Sequence, residues 1–193
     1  MVKKKETVLP INPVIALLKA KGAATVTPIP ASHVVVDERV RLKCRVPICD
    51  SFHKNLMCPP FVMAVEEFRK VLGRYKEAIL LQTEGTIAIT NDEIPGGDVF
   101  VPAKKLHDLV NIGEREAFRS GFRFAAGLIG GCCRLCEACV AIDNSSDCRF
   151  PFRARPSMEA MGIDVVATLE GSGLALAFPV RDRVTWTGLI LIN

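Results

Sequence analysis

The chain has 193 residues, 25 Lys and Arg against 21 Asp and Glu, and eight cysteines. This length suits one domain, residues 1–193, with a core large enough to fold alone. A composition of 49% hydrophobic and 24% charged residues is that of a globular protein, which excludes the disordered and fibrous classes. The net charge of +4 is small and scattered, so nucleic acid is not an expected partner. Residues 1–6 are expected to form a flexible basic tail.

The mean hydropathy of +0.26 raises the question of a membrane segment. The longest stretch without Asp, Glu, Lys or Arg, 22–36, contains Pro28 and Pro30 and is shorter than the about 20 apolar residues of a spanning helix. The N-terminus lacks the apolar run and cleavage site of a signal peptide. The sequence therefore predicts a cytoplasmic protein with no membrane partner, in which reduced cysteines indicate metal binding rather than disulfides. The apolar composition is compatible with a homo-oligomer.

Hydrophobic spacing and turn residues predict the elements in chain order. In the first half we expect an amphipathic helix at 11–21, a strand at 33–36, a helix at 60–75 and strands at 77–83 and 85–90. In the second half we expect a long helix at 102–128 ended by Gly130-Gly131, a short helical turn at 157–161, and strands at 163–169, 174–178 and 184–192. The order of elements predicts an α/β (α+β) fold, a small mixed sheet with flanking helices and two cysteine-rich metal-binding loops.

The spacing Cys133-x2-Cys136-x2-Cys139 is the most informative pattern in the chain. Three cysteines at period three wrap a tight loop around one cubane, and bacterial ferredoxins add a fourth cysteine followed by proline. Here the fourth ligand is expected to be Cys148, in Cys-Arg-Phe-Pro. Zinc modules instead use pairs of Cys-x2-Cys a dozen or more residues apart, which the triplet fits less well. The pattern therefore predicts a [4Fe-4S] cluster, with Zn as the alternative.

A second cysteine segment, Cys44-x4-Cys49-x8-Cys58, predicts a second metal site. All eight cysteines lie in the two segments, and Cys58 is predicted at the N-terminus of the helix at 60–75. The positive end of a helix dipole favours a thiolate and an anionic cluster.

Cys132 has two interpretations. Adjacent side chains diverge, so Cys132 does not readily bind the same metal as Cys133. It completes the first site, giving each of two clusters four ligands, or it is a small buried hydrophobic residue. In the second case the first site has three cysteines, and its open iron binds a substrate, water or His53. His107 is expected on the surface of the long helix.

Four arginines crowd the second cysteine segment: Arg134, Arg149, Arg153 and Arg155. Guanidinium groups near an anionic cluster tune its potential, or they dock an anionic partner or substrate. The alternative is a solvated basic loop. Glu159 is expected to pair with one of these arginines.

Both segments, with their flanking residues, resemble the uncharacterised family called domain of unknown function 2284. The resemblance runs from about residue 35 to the C-terminal strand and rests on Cys58-Pro-Pro, Gly131-x-Cys133-Arg-Leu-Cys136-Glu-Ala-Cys139 and Cys148-Arg-Phe-Pro…Arg-Pro-Ser-Met-Glu-Ala-Met-Gly-Ile-Asp-Val. That family is described as predicted metal-binding proteins of archaea and anaerobic bacteria. The resemblance implies cysteine-bound metal at Cys44, Cys49, Cys58, Cys133, Cys136, Cys139 and Cys148. It implies no reaction, and it leaves Cys132 outside the family pattern.

The favoured function is that of an iron–sulfur protein with one or two [4Fe-4S] clusters that passes electrons to a protein redox partner. The first alternative is an iron–sulfur enzyme with an open iron at the three-cysteine site, acting as a Lewis acid or in sulfur transfer. The second is a zinc-stabilised interaction module without turnover.

Overall fold

The computed structural model describes residues 10–87, 99–176, 180 and 182–193. Its centre is a four-stranded sheet in the order β1-β2-β4-β3. The strands are β1 (Thr25–Pro30), β2 (Glu77–Thr86), β3 (Ala126–Leu128) and β4 (Arg183–Ile192), and the helices are α1 (Asn12–Ala20), α2 (Glu38–Leu42), α3 (Val65–Leu72), α4 (Val101–Arg119) and α5 (Val165–Glu170). The predicted α+β class is confirmed. The sheet, for which the sequence predicts mixed pairing, has only antiparallel pairs among these strands.

The sheet is covered on both faces, which explains the continuous apolar run of its central strand β2. Side chains alternate along a strand, so Ile79 faces one hydrophobic cluster and Leu80 the other. The first cluster packs α1 and α4 against the sheet, and the second packs α3, α5 and the segment before α5. No helix in the described residues is long and apolar enough to cross a membrane.

The predicted helix at 102–128 is wrong in its second half, because α4 ends at Arg119. Gly121 has a φ of +98°, and its N–H donates to the Phe118 carbonyl while the Phe122 N–H donates to the Ala117 carbonyl. This pair of bonds is a Schellman motif, which satisfies the last helical carbonyls and turns the chain. The turn frees 126–128 to form β3, so Gly130-Gly131 follows a strand and does not end a helix.

The predicted strand at 163–169 is also wrong, since the segment forms α5. The Asp164 side chain accepts a hydrogen bond from the Ala167 N–H at 3.0 Å and caps this helix. The cap and the burial of Leu169 stabilise the helix by more than the strand preference of the β-branched residues in this segment opposes it. Of the predicted strand at 174–178, residues 174–176 lie in no strand and the rest lies outside the described residues.

The prediction that Cys58 begins a helix is wrong, because α3 begins only at Val65. A residue that precedes proline is disfavoured in the helical region, and Pro59 and Pro60 impose this on two successive positions. Cys58 therefore lies in a turn and not at the N-terminus of α3. The confirmed part of the predicted helix is its apolar face, where Phe68 and Leu72 are buried.

In the first half of the chain, α1 confirms the predicted helix at 11–21, whereas the strand predicted at 33–36 is wrong. The extended segment comes earlier, as β1, and a 3-10 turn covers Ala31–His33. Prolines are tolerated in β1 because, among the described strands, it lies at the edge of the sheet and pairs only with β2. β2 runs without a turn through Glu84-Gly85 to Thr86, and 88–90 lies outside the described residues. β4 confirms the last predicted strand.

Candidate metal centre

The first cysteine segment begins with a tight turn between Cys44 and Cys49. The Cys49 N–H donates to the Cys44 carbonyl at 3.1 Å, and a β-bridge joins Arg45 to Ile48. Cys44 is partly buried and Cys49 is exposed. The turn therefore presents one thiol to solvent and directs the other toward the protein interior.

Cys58, the last cysteine of this segment, is buried. Its N–H donates to the Asn55 carbonyl at 2.9 Å, and its own carbonyl accepts from the Phe61 N–H. Burial raises the pKa of the Cys58 thiol strongly, and the neighbouring Cys132, Cys49 and Cys44 raise it further. Because metals bind the thiolate, binding at this site displaces a proton.

Two glycines deliver the second cysteine segment to the same region. After β3 the chain passes over the start of β4, where a Cβ on Gly130 would lie 2.7 Å from the Thr187 carbonyl oxygen. Gly131 has a φ of +75°, and a Cβ there would lie 2.6 Å from Cζ3 of Trp186. Only glycine fits both the left-handed backbone and the contact with the indole ring. The two glycines thus place Cys132 and Cys133 beside the first segment.

Backbone N–H groups point at the sulfurs of the second segment. The Phe150 N–H donates to Sγ of Cys148 at 3.4 Å. Burial raises the pKa of the Cys133 thiol, and a hydrogen bond from the Leu135 backbone opposes that rise. In both cases the donor is two residues after the cysteine. Such N–H···S bonds favour the thiolate and tune the potential of a bound cluster.

The eight cysteines divide between two neighbouring cavities. A cavity of about 670 Å³ is lined by the first thiol set, which comprises Cys44, Cys49, Cys58 and Cys132. A cavity of about 610 Å³ is lined by the second thiol set, which comprises Cys133, Cys136, Cys139 and Cys148, and also by Cys132. The thiols that act electrostatically on Cys58 are those of the first set, and those that act on Cys133 are those of the second. Each set has four thiols, and Cys132 lies in the wall between the cavities.

Within the described ranges, no group of three or more Cys, His, Asp or Glu side chains is arranged to hold a metal ion. The two sets are therefore defined by the shared cavities and by their mutual electrostatic effects.

Arg134 lies where the two cavities meet and lines both of them. Its guanidinium carbon stands 3.6 Å from the centre of the Phe100 ring. Its Nε is buried and has no hydrogen-bond partner among the described residues, which costs about 1–3 kcal/mol for an ordinary buried donor. A thiolate or an anionic cluster beside it would supply the missing acceptor. In donor chemistry, though not in their present arrangement, the thiol sets and this buried donor suit a thiolate-bound, anionic metal group.

The other three predicted arginines have protein partners. Arg149 donates to the Ala138 carbonyl at 2.7 Å and thereby ties the residue after Cys148 to the cysteine triplet. The Arg153 guanidinium lies 3.5 Å from a carboxylate oxygen of Asp108. Arg155 forms a largely buried ion pair with Glu114, whose carboxylate also accepts from the Gly127 N–H. Their roles in docking stay predictions.

Two expectations about single side chains are wrong. In the described residues Glu159 pairs with none of these arginines; its carboxylate accepts the Gly131 N–H at 3.2 Å and lines the first cavity. Burial raises the pKa of the Glu159 carboxyl. His107 is 4% exposed, so it is buried rather than on the surface. Its Nε2 lies 2.8 Å from the Arg153 carbonyl, to which Asn111 also donates.

The sequence also gives no signal for Asn55, which is buried between Cys49 and Cys58. Its Nδ2 donates to the Cys133 carbonyl at 2.8 Å, and its Oδ1 accepts from the Met57 N–H at 3.0 Å. One amide thus joins the two cysteine segments.

A protein family described as predicted metal-binding protein, domain of unknown function 2284, matches residues 27–192. This range covers most of the chain and includes every cysteine. The chain belongs to this family. Membership in domain of unknown function 2284 supports metal binding as the general role of the cysteines. No curated protein and no solved structure shows significant similarity to the chain.

Proposed function

We propose that the protein is an iron–sulfur protein that holds two [4Fe-4S] clusters and passes electrons to a protein partner. The observation that carries this proposal is the division of the eight cysteines into two sets of four at adjoining cavities. Four thiolates are the complement of one cubane, and the Cys-x2-Cys-x2-Cys spacing of the second set is that of ferredoxins. Cys132 is assigned to the first set, so neither cluster has an open iron.

The adjacency of Cys132 and Cys133 supports electron passage between the two sites. Consecutive Cα atoms are about 3.8 Å apart, so groups held by these two residues are joined through a single peptide unit. When bound, such clusters supply reversible one-electron chemistry. Exposed Cys49 lies at the outer end of the first set. The chain thus offers a path from the second set, through the first, to the surface.

The surrounding residues stabilise negative charge at the two sites. The N–H groups of Leu135 and Phe150 face sulfurs of the second set, and the Arg134 guanidinium lies at both cavities. Donors and cations of this kind stabilise the reduced, more negative state and raise the reduction potential. Burial of Cys58 acts in the opposite direction, since a low dielectric disfavours added charge.

The second candidate function is an enzyme in which Cys132 is not a ligand and the first site has an open iron. The observation that favours it is the apolar extension of the first cavity, whose walls include Ile163, Val166 and Trp186. Such walls bind small apolar molecules. In this case the thiols of Cys44, Cys49 and Cys58 hold the metal, and substrate occupies the extension.

The test is a count of iron, acid-labile sulfide and zinc per chain, with absorption and EPR spectra, after anaerobic purification. About eight irons and eight sulfides support two cubane clusters. About four irons contradict the two-cluster proposal, and zinc without sulfide contradicts both redox functions and leaves the zinc-stabilised module.

Two neighbouring variants separate electron transfer from the open-iron enzyme. Cys132→Ser is expected to change the EPR spectrum of one cluster, and Cys133→Ser that of the other. A spectrum unchanged by Cys132→Ser, together with one cluster whose EPR signal responds to sulfide, thiols or cyanide, would favour the enzyme. Insensitivity to these small molecules counts against it.

A further inference from the structure

The turn between Cys44 and Cys49 carries an exposed apolar tip. Val46 is 65% exposed and Ile48 is 70% exposed, and Leu42 at the end of α2 is 58% exposed. The Arg45–Ile48 bridge and the hydrogen bond between Cys49 and Cys44 hold the turn in a defined shape. Single exposed aliphatic residues are common on protein surfaces, but three within seven residues, two of them in one short turn, indicate an interaction site.

The same turn is basic. Between residues 39 and 49 the sequence contains four Lys and Arg residues and no Asp or Glu, while the acidic residues Asp37, Glu38 and Asp50 lie directly on either side. Arg39 pairs with Asp37, and Arg41 donates to the carbonyls of Met63 and Ala160. Lys43 and Arg45 are both exposed and flank Cys44. The surface formed by Leu42, Lys43, Arg45, Val46 and Ile48, here called the basic tip, therefore combines aliphatic contact area with positive charge.

We infer that the basic tip is the docking surface for a redox protein whose own docking face is acidic. This inference rests on the proposed electron-transfer function and adds the place of contact and the chemistry of the partner. Cys49 is the exposed member of the first thiol set and belongs to the same turn. A partner on the tip therefore contacts the site where an electron reaches the surface. Complementary charge increases the association rate, and a small apolar centre suits a complex that must dissociate after each transfer.

The experiment measures binding and electron transfer by the metal-loaded chain, with a flavodoxin of net negative charge as probe. The test variant Lys43→Glu with Arg45→Glu reverses the charge of the tip. The matched control is Arg115→Glu with Arg119→Glu, which reverses two charges flanking exposed Phe118 on α4 and lines neither cavity.

At low ionic strength we expect the test variant to bind the flavodoxin more weakly, with a dissociation constant about tenfold or more higher than that of the wild type. The control should bind like the wild type. The difference should shrink at high salt, where charges are screened. Val46→Ser with Ile48→Ser should weaken binding at both salt concentrations, because it removes apolar contact. Hydrogen exchange of residues 42–49 should slow in the complex.

Equal affinities of the test variant and the wild type would overturn the docking surface. So would tighter binding to a c-type cytochrome of net positive charge, or a dimer of the chain that Val46→Ser with Ile48→Ser dissociates. An assay of reduction by reduced methyl viologen distinguishes failure of the docking surface from failure of the electron-transfer function. If viologen reduces the protein but the flavodoxin binds elsewhere, only the proposed docking surface is refuted. If viologen does not reduce the protein, both the proposed electron-transfer function and the docking surface are refuted.

Discussion

Asn55 donates a hydrogen bond from Nδ2 to the main-chain carbonyl of Cys133 across 78 positions of sequence, at 2.8 Å. The same side chain accepts from the Met57 N–H, so it also shapes the turn before Cys58. Both bonds are partly shielded from water, because Asn55 is buried and its two partners are partly buried. The relative position of the two cysteine segments therefore depends on one amide group that is not itself a metal ligand.

Removing this amide is expected to destabilise the metal-loaded protein. Asn55→Ala leaves the partly buried Cys133 carbonyl and Met57 N–H unpaired, which costs at most about 1–3 kcal/mol. For a chain of this size that corresponds to a fall in the unfolding midpoint of about 2–4 °C per kcal/mol. Asn55→Asp keeps the acceptor for Met57 but places a carboxylate oxygen against the Cys133 carbonyl at a buried position, so it should be at least as destabilising as Asn55→Ala. Thermal unfolding measures both, with exposed Asn12→Ala as control. Equal midpoints for Asn55→Ala and Asn12→Ala would refute the bridging role.

Because Gly131 lies against Trp186, adding one methyl group at residue 131 is expected to lower the stability of the protein strongly. Gly131→Ala imposes a left-handed conformation on alanine, at about 1–2 kcal/mol, and a clash with the indole that adds about 1–3 kcal/mol. Gly173→Ala is the matched control, because Gly173 has a φ of +73° but nothing within 4 Å of an added Cβ. We expect a lower unfolding midpoint and less bound metal for Gly131→Ala than for Gly173→Ala. If the two variants have equal unfolding midpoints and metal contents, the left-handed backbone conformation alone accounts for the requirement for glycine at residue 131.

Arg134 is expected to raise the reduction potential of the bound metal group. Its replacement by methionine keeps much of the apolar contact with Phe100 and removes the charge and the orphaned Nε donor. A charged hydrogen bond worth about 1.5–3 kcal/mol sets an upper limit of roughly 130 mV on the fall in potential, at about 59 mV per 1.4 kcal/mol for one electron. Arg134→Lys should lie between methionine and the wild type.

The control for Arg134 is Arg123→Met, since Arg123 also lies over an aromatic ring, that of Phe124, and lines neither cavity. Redox titration followed by EPR measures both variants. A potential in Arg134→Met equal to that in Arg123→Met would show that the guanidinium does not act on the metal group.

Because His107 is buried in its neutral form, the folded protein is expected to lose stability in mild acid. Burial lowers the pKa of His107 from 6.5, so the folded protein holds it neutral while it donates to the Arg153 carbonyl. The unfolded chain takes up this proton at the ordinary pKa. The stability that His107 provides is therefore complete above 6.5 and is lost as the pH falls through the lower pKa of the folded state.

His107→Gln keeps a donor for the Arg153 carbonyl and removes the titration. Its unfolding midpoint should fall less than that of the wild type between about pH 8 and pH 5. His33→Gln, at an exposed histidine, should follow the wild type. Parallel curves for all three proteins would exclude His107 as the source of the acid sensitivity.

Hydrophobic periodicity in the sequence predicted the helices and strands that bury one regular face or one continuous apolar run. The apolar face of α1 and the apolar runs of β2 and β4 could be recognised because their periodicity follows directly from burial. The predictions at 102–128 and 163–169 could have been corrected from sequence, since Ser120-Gly121 and Asp164 are ordinary helix-ending and helix-starting signals. β1 could not, because two prolines are tolerated there only by its place at the edge of the sheet.

The sequence by itself determined that the chain belongs to a family described as predicted metal-binding proteins, because the number and spacing of its thiols, and the family motifs around them, are properties of the chain. Only the tertiary structure decided which thiols line the same cavity. Cys132 and Cys133 are neighbours in sequence, yet they lie with different sets because Gly130 and Gly131 carry the chain over Trp186 into the wall between two cavities. The burial of His107, the bridging bond of Asn55 and the orphaned Nε of Arg134 likewise depend on segments distant in sequence, whose packing no local pattern encodes.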